Sequence, residues 1–150
     1  MKAVVQRVGS ATVRTPEGHC HKINKGMVIL VGITHSDEKE DVDWLARKIL
    51  GLRIFDDEAG VMNLNLEQAG GELMVVSQFT LHARTKKGNR PSYVDAAGAE
   101  KAIPLYEYFL QVMEGLSGQG VARGVFGAQM SVELINDGPV TLIIDTENKL

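Results

Sequence analysis

Positions 27–33 read MVILVGI, an unbroken apolar run bounded by Gly26 and Ser36. A run of this length favours a buried central strand over a helix. A second apolar stretch, LMVV at 73–76, follows the break at Gly70-Gly71 and reads the same way. Residues 1–8 carry apolar side chains in a β-branched context and are followed by Gly9-Ser10, which reads as another strand. Residues 11–14 and 20–23 flank Pro16-Glu17-Gly18, a turn signal that predicts a hairpin. Residues 52–55 form a further strand leading into an acidic turn at 56–60. Near the C-terminus, Met130, Val132 and Leu134 alternate with Ser131 and Glu133, the pattern of a half-buried strand. Asn136-Asp137-Gly138-Pro139 interrupts it, and 140–144 make a final strand.

Two helices complete the pattern. Ser36 is the predicted N-cap of the first, and Asp37, Glu38, Glu40 and Asp41 suit the positive end of its dipole. Val42, Leu45, Ala46 and Ile49 recur at helical spacing up to a stop at Gly51. The second carries Leu105, Phe109, Val112, Met113 and Leu116, with Pro104 in its first turn and Gly115, Gly118 and Gly120 at its end. About seven strands and two main helices in this order predict an α+β fold and not a doubly wound sheet. The length of 150 residues predicts one domain, 1–150.

Composition narrows the class. Hydrophobic residues at 44% and charged residues at 23% match a soluble globular domain, and no apolar run approaches the roughly 20 residues of a membrane helix. MKAVVQRVGS lacks the apolar stretch and cleavage site of a signal peptide. Cys20 is the lone cysteine, so no intrachain disulfide forms and a reducing cytoplasm is the expected location. A formal net charge of -3 offers no global attraction for nucleic acid, so any RNA must meet a local basic patch. Arg84, Lys86, Lys87 and Arg90 supply one, on the aperiodic stretch 80–93 that predicts a long functional loop.

Two short motifs offer chemistry. Ser77-Gln78-Phe79-Thr80 ends the apolar strand at 73–76, bringing two hydroxyls, an amide and an aromatic face to one strand terminus. Backbone N–H groups leaving a sheet there can hold an oxyanion, or the Ser and Thr can simply satisfy local backbone groups. Asp137-Gly138 is a strong hairpin dipeptide, yet Pro139 removes a ladder donor where the last strand begins. A cis bond there would turn carbonyl oxygens outward. His19-Cys20-His21 suggests metal binding, but on a strand Cys20 points away from both histidines and nothing completes a ligand set, so no metal is expected. Phe126 and Met130 can wall a pocket or fill the core, and Trp44 packs its helix on the sheet.

Taken together, SQFT at 77–80, KKGNRPSY at 86–93, GVFGAQM at 124–130 and NDGPVT at 136–141 resemble the D-aminoacyl-tRNA deacylases in identity and order. MKAVVQRV and LRIFDDEAGVMNLNL at 52–66 are similar to the same family's N-terminal half, so the likeness spans nearly the whole chain. Asn65 departs from it, standing where a serine is more usual.

The resemblance implies a twisted, partly barrel-like sheet and a hydrolase that frees D-amino acids from aminoacyl-tRNA without a cofactor. It implies a homodimer with active sites at the subunit interface, where Gly138 and Pro139 reach into the partner's site and leave no room for an L side chain. Such exclusion admits glycine, so glycyl-tRNA(Ala) is an expected second substrate. Ser77, Gln78 and Thr80 take the catalytic positions and Phe79 joins Gly138 and Pro139 in binding substrate. Thr80 is either a nucleophile needing a nearby base, with His82 two positions away, or a positioning group for a reaction assisted by the tRNA 2′-hydroxyl. Substrate assistance is the favoured route. A related group that removes L-alanine differs in the first motif, and the intact Ser77-Gln78 argues against it.

Overall fold

The structure, a computed structural model, describes residues 1–150. Strand β1 (Lys2–Arg14) is the spine of a six-stranded mixed sheet. Along one edge it pairs antiparallel with β3 (Gly26–Gly32) over its first half and with β2 (Cys20–Ile23) over its second. Along the other edge it pairs with β8 (Ser131–Asp145). β6 (Glu72–Ser77) lies parallel to β3, and the short β7 (Ala122–Arg123) lies parallel to β6. A separate hairpin joins β4 (Phe55–Asp56) to β5 (Met62–Leu64).

The apolar runs in β3 and β6 are continuous because both faces of these strands are buried. Met27, Ile29, Val31, Leu73 and Val75 face a layer of helices, α1 (Lys39–Gly51) and α3 (Ala99–Ser117). Val28, Met74 and Val76 face the other way, into a smaller core with Val8, Ala11, Val13 and Ile23. Along β1 the parity switches: Ala3 and Val5 face the helices, whereas Val8, Ala11 and Val13 all face the second core. A register shift between Val8 and Ser10 explains the switch, because the extra residue Gly9 moves every later side chain to the opposite face.

Several local expectations change. The first helix is capped at Glu38, whose N–H donates to the Asp41 carboxylate at 2.9 Å. Ser36 instead donates to Glu147, and Asp37 is buried, accepting from the Met1 ammonium at 2.5 Å. A charge–charge contact across the fold thus outweighs the local cap. α3 begins at Ala99, so Pro104 lies inside the helix and not in its first turn. Residues 99–103 (AEKAI) are good helix formers, and their packing through Ala102 offsets the hydrogen bond that Pro104 cannot donate to Glu100. The helix passes through Gly115 and ends at Gly118, in the left-handed region at φ 69°. Of the predicted strand 52–55, only Phe55 enters a strand.

The largest difference is at Gly138-Pro139. No hairpin forms there: β8 is one long strand, both of whose halves pair with β1 in the same direction. Thr141 pairs with Gln6 and Asn136 with Val8, so residues 137–140 bulge out opposite Arg7 alone.

A short helix, α2 (Leu66–Ala69), was not predicted from the sequence. Asn65 is its N-cap, accepting from the Gln68 N–H at 2.9 Å, while Gln68 accepts from the Asn65 N–H. Serine and asparagine cap equally well, which accounts for the departure at this position. Asn65→Ser is therefore expected to leave stability unchanged, and Asn65→Ala to lower it by about 1 kcal/mol in urea denaturation.

Candidate active site

The parallel strand β6 delivers Ser77 to the edge of the sheet, and the Gln78 N–H continues its ladder by donating to Val31 at 2.7 Å. The chain then tightens into a 3-10 turn, Phe79–His82. Gly32 makes this turn possible: a Cβ there would stand 2.8 Å from the Gln78 carbonyl oxygen. The N–H groups of Phe79 and Thr80 open the turn and find no acceptor within the chain. They are donors without a partner, beside Ser77 and Gln78.

These residues head a pocket. Ser77, Gln78 and Phe79 line it together with Val31, Ile33 and Ala102, and Phe126 with Gly127 add a wall from a later segment. Phe126 serves two purposes, since it also packs on the main core and on Tyr106, ring centroids 5.6 Å apart. Burial pushes the Tyr106 hydroxyl up to about 12, so it stays a neutral donor, here to the Val75 carbonyl at 3.3 Å just below the site. Thr80 does not line the pocket; its oxygen accepts from the Gln78 amide at 2.5 Å. His82 is buried with Nε2 unpartnered and makes no bond to Thr80. No histidine or carboxylate hydrogen-bonds the hydroxyl of Ser77 or Thr80, so neither has a base within the chain.

Gly138 and Pro139 are exposed on β8 and line no part of this pocket. The peptide bond between them is cis, and Gly138 sits at φ +126°, a conformation L side chains rarely adopt. Arg7 grips the bulge from beneath. Its guanidinium is nearly buried, donates to the carbonyls of Asp137 at 3.1 Å and Ile54 at 2.7 Å, and lies 3.5 Å from the Asp56 carboxylate. A Cβ on Gly138 would approach it to 3.0 Å. Sequence reading passed over Arg7, although a charge inside the apolar strand KAVVQRV was a signal that partners must exist.

The basic loop divides. Arg84 is committed to Asp95, two hydrogen bonds at 2.5 and 2.6 Å, and the pairing holds the Asp95 carboxyl below its usual range. With the Arg84–Ser92 bridge, it closes the base of the loop, and Tyr93 packs edge-on against Phe79 at 5.0 Å. Lys86, Lys87 and Arg90 remain exposed and without an ion pair. His19 and His21 both bond to the backbone of Arg123.

Residues 4–145 match the model of the D-Tyr-tRNA(Tyr) deacylase family. A Bacteroides thetaiotaomicron protein named D-aminoacyl-tRNA deacylase is 59% identical, with 99% of each chain covered. The solved structure of a c-Myc DNA unwinding element binding protein is similar at TM-score 0.89 and 38% identity, covering 97% of this chain and 98% of that one. A probable eukaryotic D-amino acid tRNA deacylase shares the fold at TM-score 0.82 and 14% identity, covering 95% and 97%.

Arg7→Met keeps the aliphatic stem but leaves the Ile54 and Asp137 carbonyls without their donor. It is expected to lower stability by about 2 kcal/mol in urea denaturation, with Arg7→Lys recovering part of the loss.

Proposed function

The chain belongs to the D-Tyr-tRNA(Tyr) deacylase family, and on that premise we propose that it cleaves its substrate in the pocket headed by Ser77, Gln78 and Phe79. It is a D-aminoacyl-tRNA deacylase, an ester hydrolase. The observation that carries the site is the pair of unpartnered N–H groups on Phe79 and Thr80 beside that pocket.

Water adds to the ester carbonyl, and the charge that develops on oxygen is held by those two N–H groups. The ester oxygen leaves on the ribose, with the 2′-hydroxyl assisting proton transfer. An aminoacyl ester is already activated, so positioning and oxyanion stabilisation suffice. Thr80, held by Gln78, positions the turn and is not a nucleophile, which agrees with the absence of a base beside it.

Gly138 and Pro139 act as the chiral filter of a homodimer, entering the partner subunit's pocket and excluding L side chains. Two observations support this. The dipeptide lies apart from its own chain's pocket, and β8 has an outer edge without a strand partner, carrying exposed Ile135 and Ile143. Exclusion by clash admits glycine, so glycyl-tRNA(Ala) is also a substrate. The protein works in the cytoplasm without a cofactor; no helix is long and apolar enough to cross a membrane. Lys86, Lys87 and Arg90 contact tRNA phosphates, while Arg84 holds the loop that presents them.

Purified protein given matched D- and L-aminoacyl-tRNA should release only the D-amino acid. Thr80→Ala should slow release by up to about 100-fold, the cost of mispositioning, without abolishing it. No release of the D-amino acid would sink the reading, preferential release of L-alanine would point to the related L-alanine deacylases, and binding without cleavage to an RNA-binding module. Light scattering should give twice the 16.3 kDa chain mass; a monomer at micromolar concentration contradicts the cross-subunit filter.

Replacing Lys86, Lys87 and Arg90 together by Glu should raise KM and leave kcat unchanged. The slope of log affinity against log salt should fall by about 2 to 3, the value for three phosphate contacts.

A further inference from the structure

The sheet order β2-β1-β3-β6-β7 leaves β2 and β7 as terminal strands at opposite ends. β7 is only Ala122–Arg123, with Arg123 opposite Val75 of β6. The Gly124 N–H donates to the Val75 carbonyl at 3.3 Å. Backbone groups of successive residues in a strand face opposite edges, so the N–H and C=O of Arg123 itself face away from β6. On a bare edge both would be left to water.

Both are occupied by side chains from the opposite end of the sheet. The Arg123 N–H donates to His21 Nδ1 at 3.1 Å, and His19 Nε2 lies 2.8 Å from the Arg123 carbonyl oxygen. The two imidazoles sit two positions apart on one face of the β2 arm, ring centroids 4.5 Å from each other. Together they present one acceptor and one donor, the pair of groups that a neighbouring strand would offer. In this pairing Nδ1 of His21 is the acceptor and Nε2 of His19 the donor.

We propose that His19 and His21 are positioning residues, closing the sheet into a barrel at the β2–β7 seam and thereby holding the Phe126–Gly127 wall of the pocket in place. The wall lies directly downstream of the clamp. Phe126 is three residues beyond Arg123, a span of about 10 Å at most, so freedom at Arg123 passes to the aromatic wall. The Arg123 side chain adds a third hold, pairing with Glu114 of α3 and donating to the Val121 carbonyl at 3.3 Å. β7 itself is too short to keep its place by pairing with β6 alone. The inference rests on the reading of this pocket as the active site.

Amide hydrogen exchange at Arg123 and deacylation kinetics on D-aminoacyl-tRNA, both with the full chain, test it. His21→Val removes the acceptor but suits an exposed strand position, and His21→Asn restores an acceptor at the place of Nδ1. The same logic pairs His19→Val with His19→Gln, whose amide restores the donor. His21→Val should expose the Arg123 amide and raise KM about fivefold, the value of one lost hydrogen bond, with kcat within twofold of the parent. His21→Asn and His19→Gln should stay close to the parent in both readouts. An Arg123 amide that exchanges equally fast in the parent and in His21→Val overturns the clamp. So does an equal KM defect in His21→Val and His21→Asn. Phe126→Ala isolates the other premise: unchanged kinetics there sink the pocket reading, while the amide exchange still reports on the seam.

Discussion

Strand β1 is paired along both edges over most of its length, with breaks around Arg7 and Gly9, and the other parts of the sheet take their positions from it. Side chains alternate across a strand, so a slip of one residue would turn Ala3 and Val5 away from the helices and carry Arg7 to the wrong face. Arg7 in turn holds the Asp137 carbonyl at the base of the bulge opposite it. The place of Gly138 and Pro139 therefore follows from the register of a strand more than a hundred residues away. Gly9 adds the second element of control, since its extra residue redirects Val13 into the smaller core on which β2 and β6 also pack.

The pocket depends on β1 less directly. β3 is laid down on β1, β6 on β3, and the end of β6 places Ser77 and the turn that follows. These strands are buried and closely packed on both faces, and the turn follows directly at the end of β6. The wall at Phe126 and Gly127 comes from a later segment that follows β7, the shortest strand in the main sheet. Phe126 on this later segment also packs on the main core and Tyr106, so hydrogen bonds at the sheet edge and core packing both act on it. Gly138 and Pro139 lie outside this pocket.

Where sequence reading and structure agree, the signal was local and strong. The runs at 27–33 and 73–76 are buried strands, the segments 11–14 and 20–23 form the hairpin, and Val42, Leu45, Ala46 and Ile49 are the buried stripe of α1. Where they differ, a distant partner prevailed over a local preference. Asp37 left the helix end for the Met1 ammonium, and Asp137-Gly138 formed a bulge because β1 pairs with both flanks of the motif. In the sequence Arg84 is one of four basic residues on the loop, and Asp95, eleven positions away, sets it apart from the other three.

The amino-acid sequence by itself determined the α+β class, the buried strands, the helix faces and, through a full-length family pattern, the chemistry to expect of Ser77-Gln78-Phe79-Thr80. Periodicity and turn chemistry act over a few residues, and that range is enough to settle such features. Only the tertiary structure decided that Phe79 and Thr80 offer free N–H groups beside a pocket, that Arg7 supports the Gly138-Pro139 bulge, and that two histidines close the sheet on Arg123. Each of these joins groups far apart in the chain, and hydrogen-bond geometry between such groups exists only once the strands have taken their register.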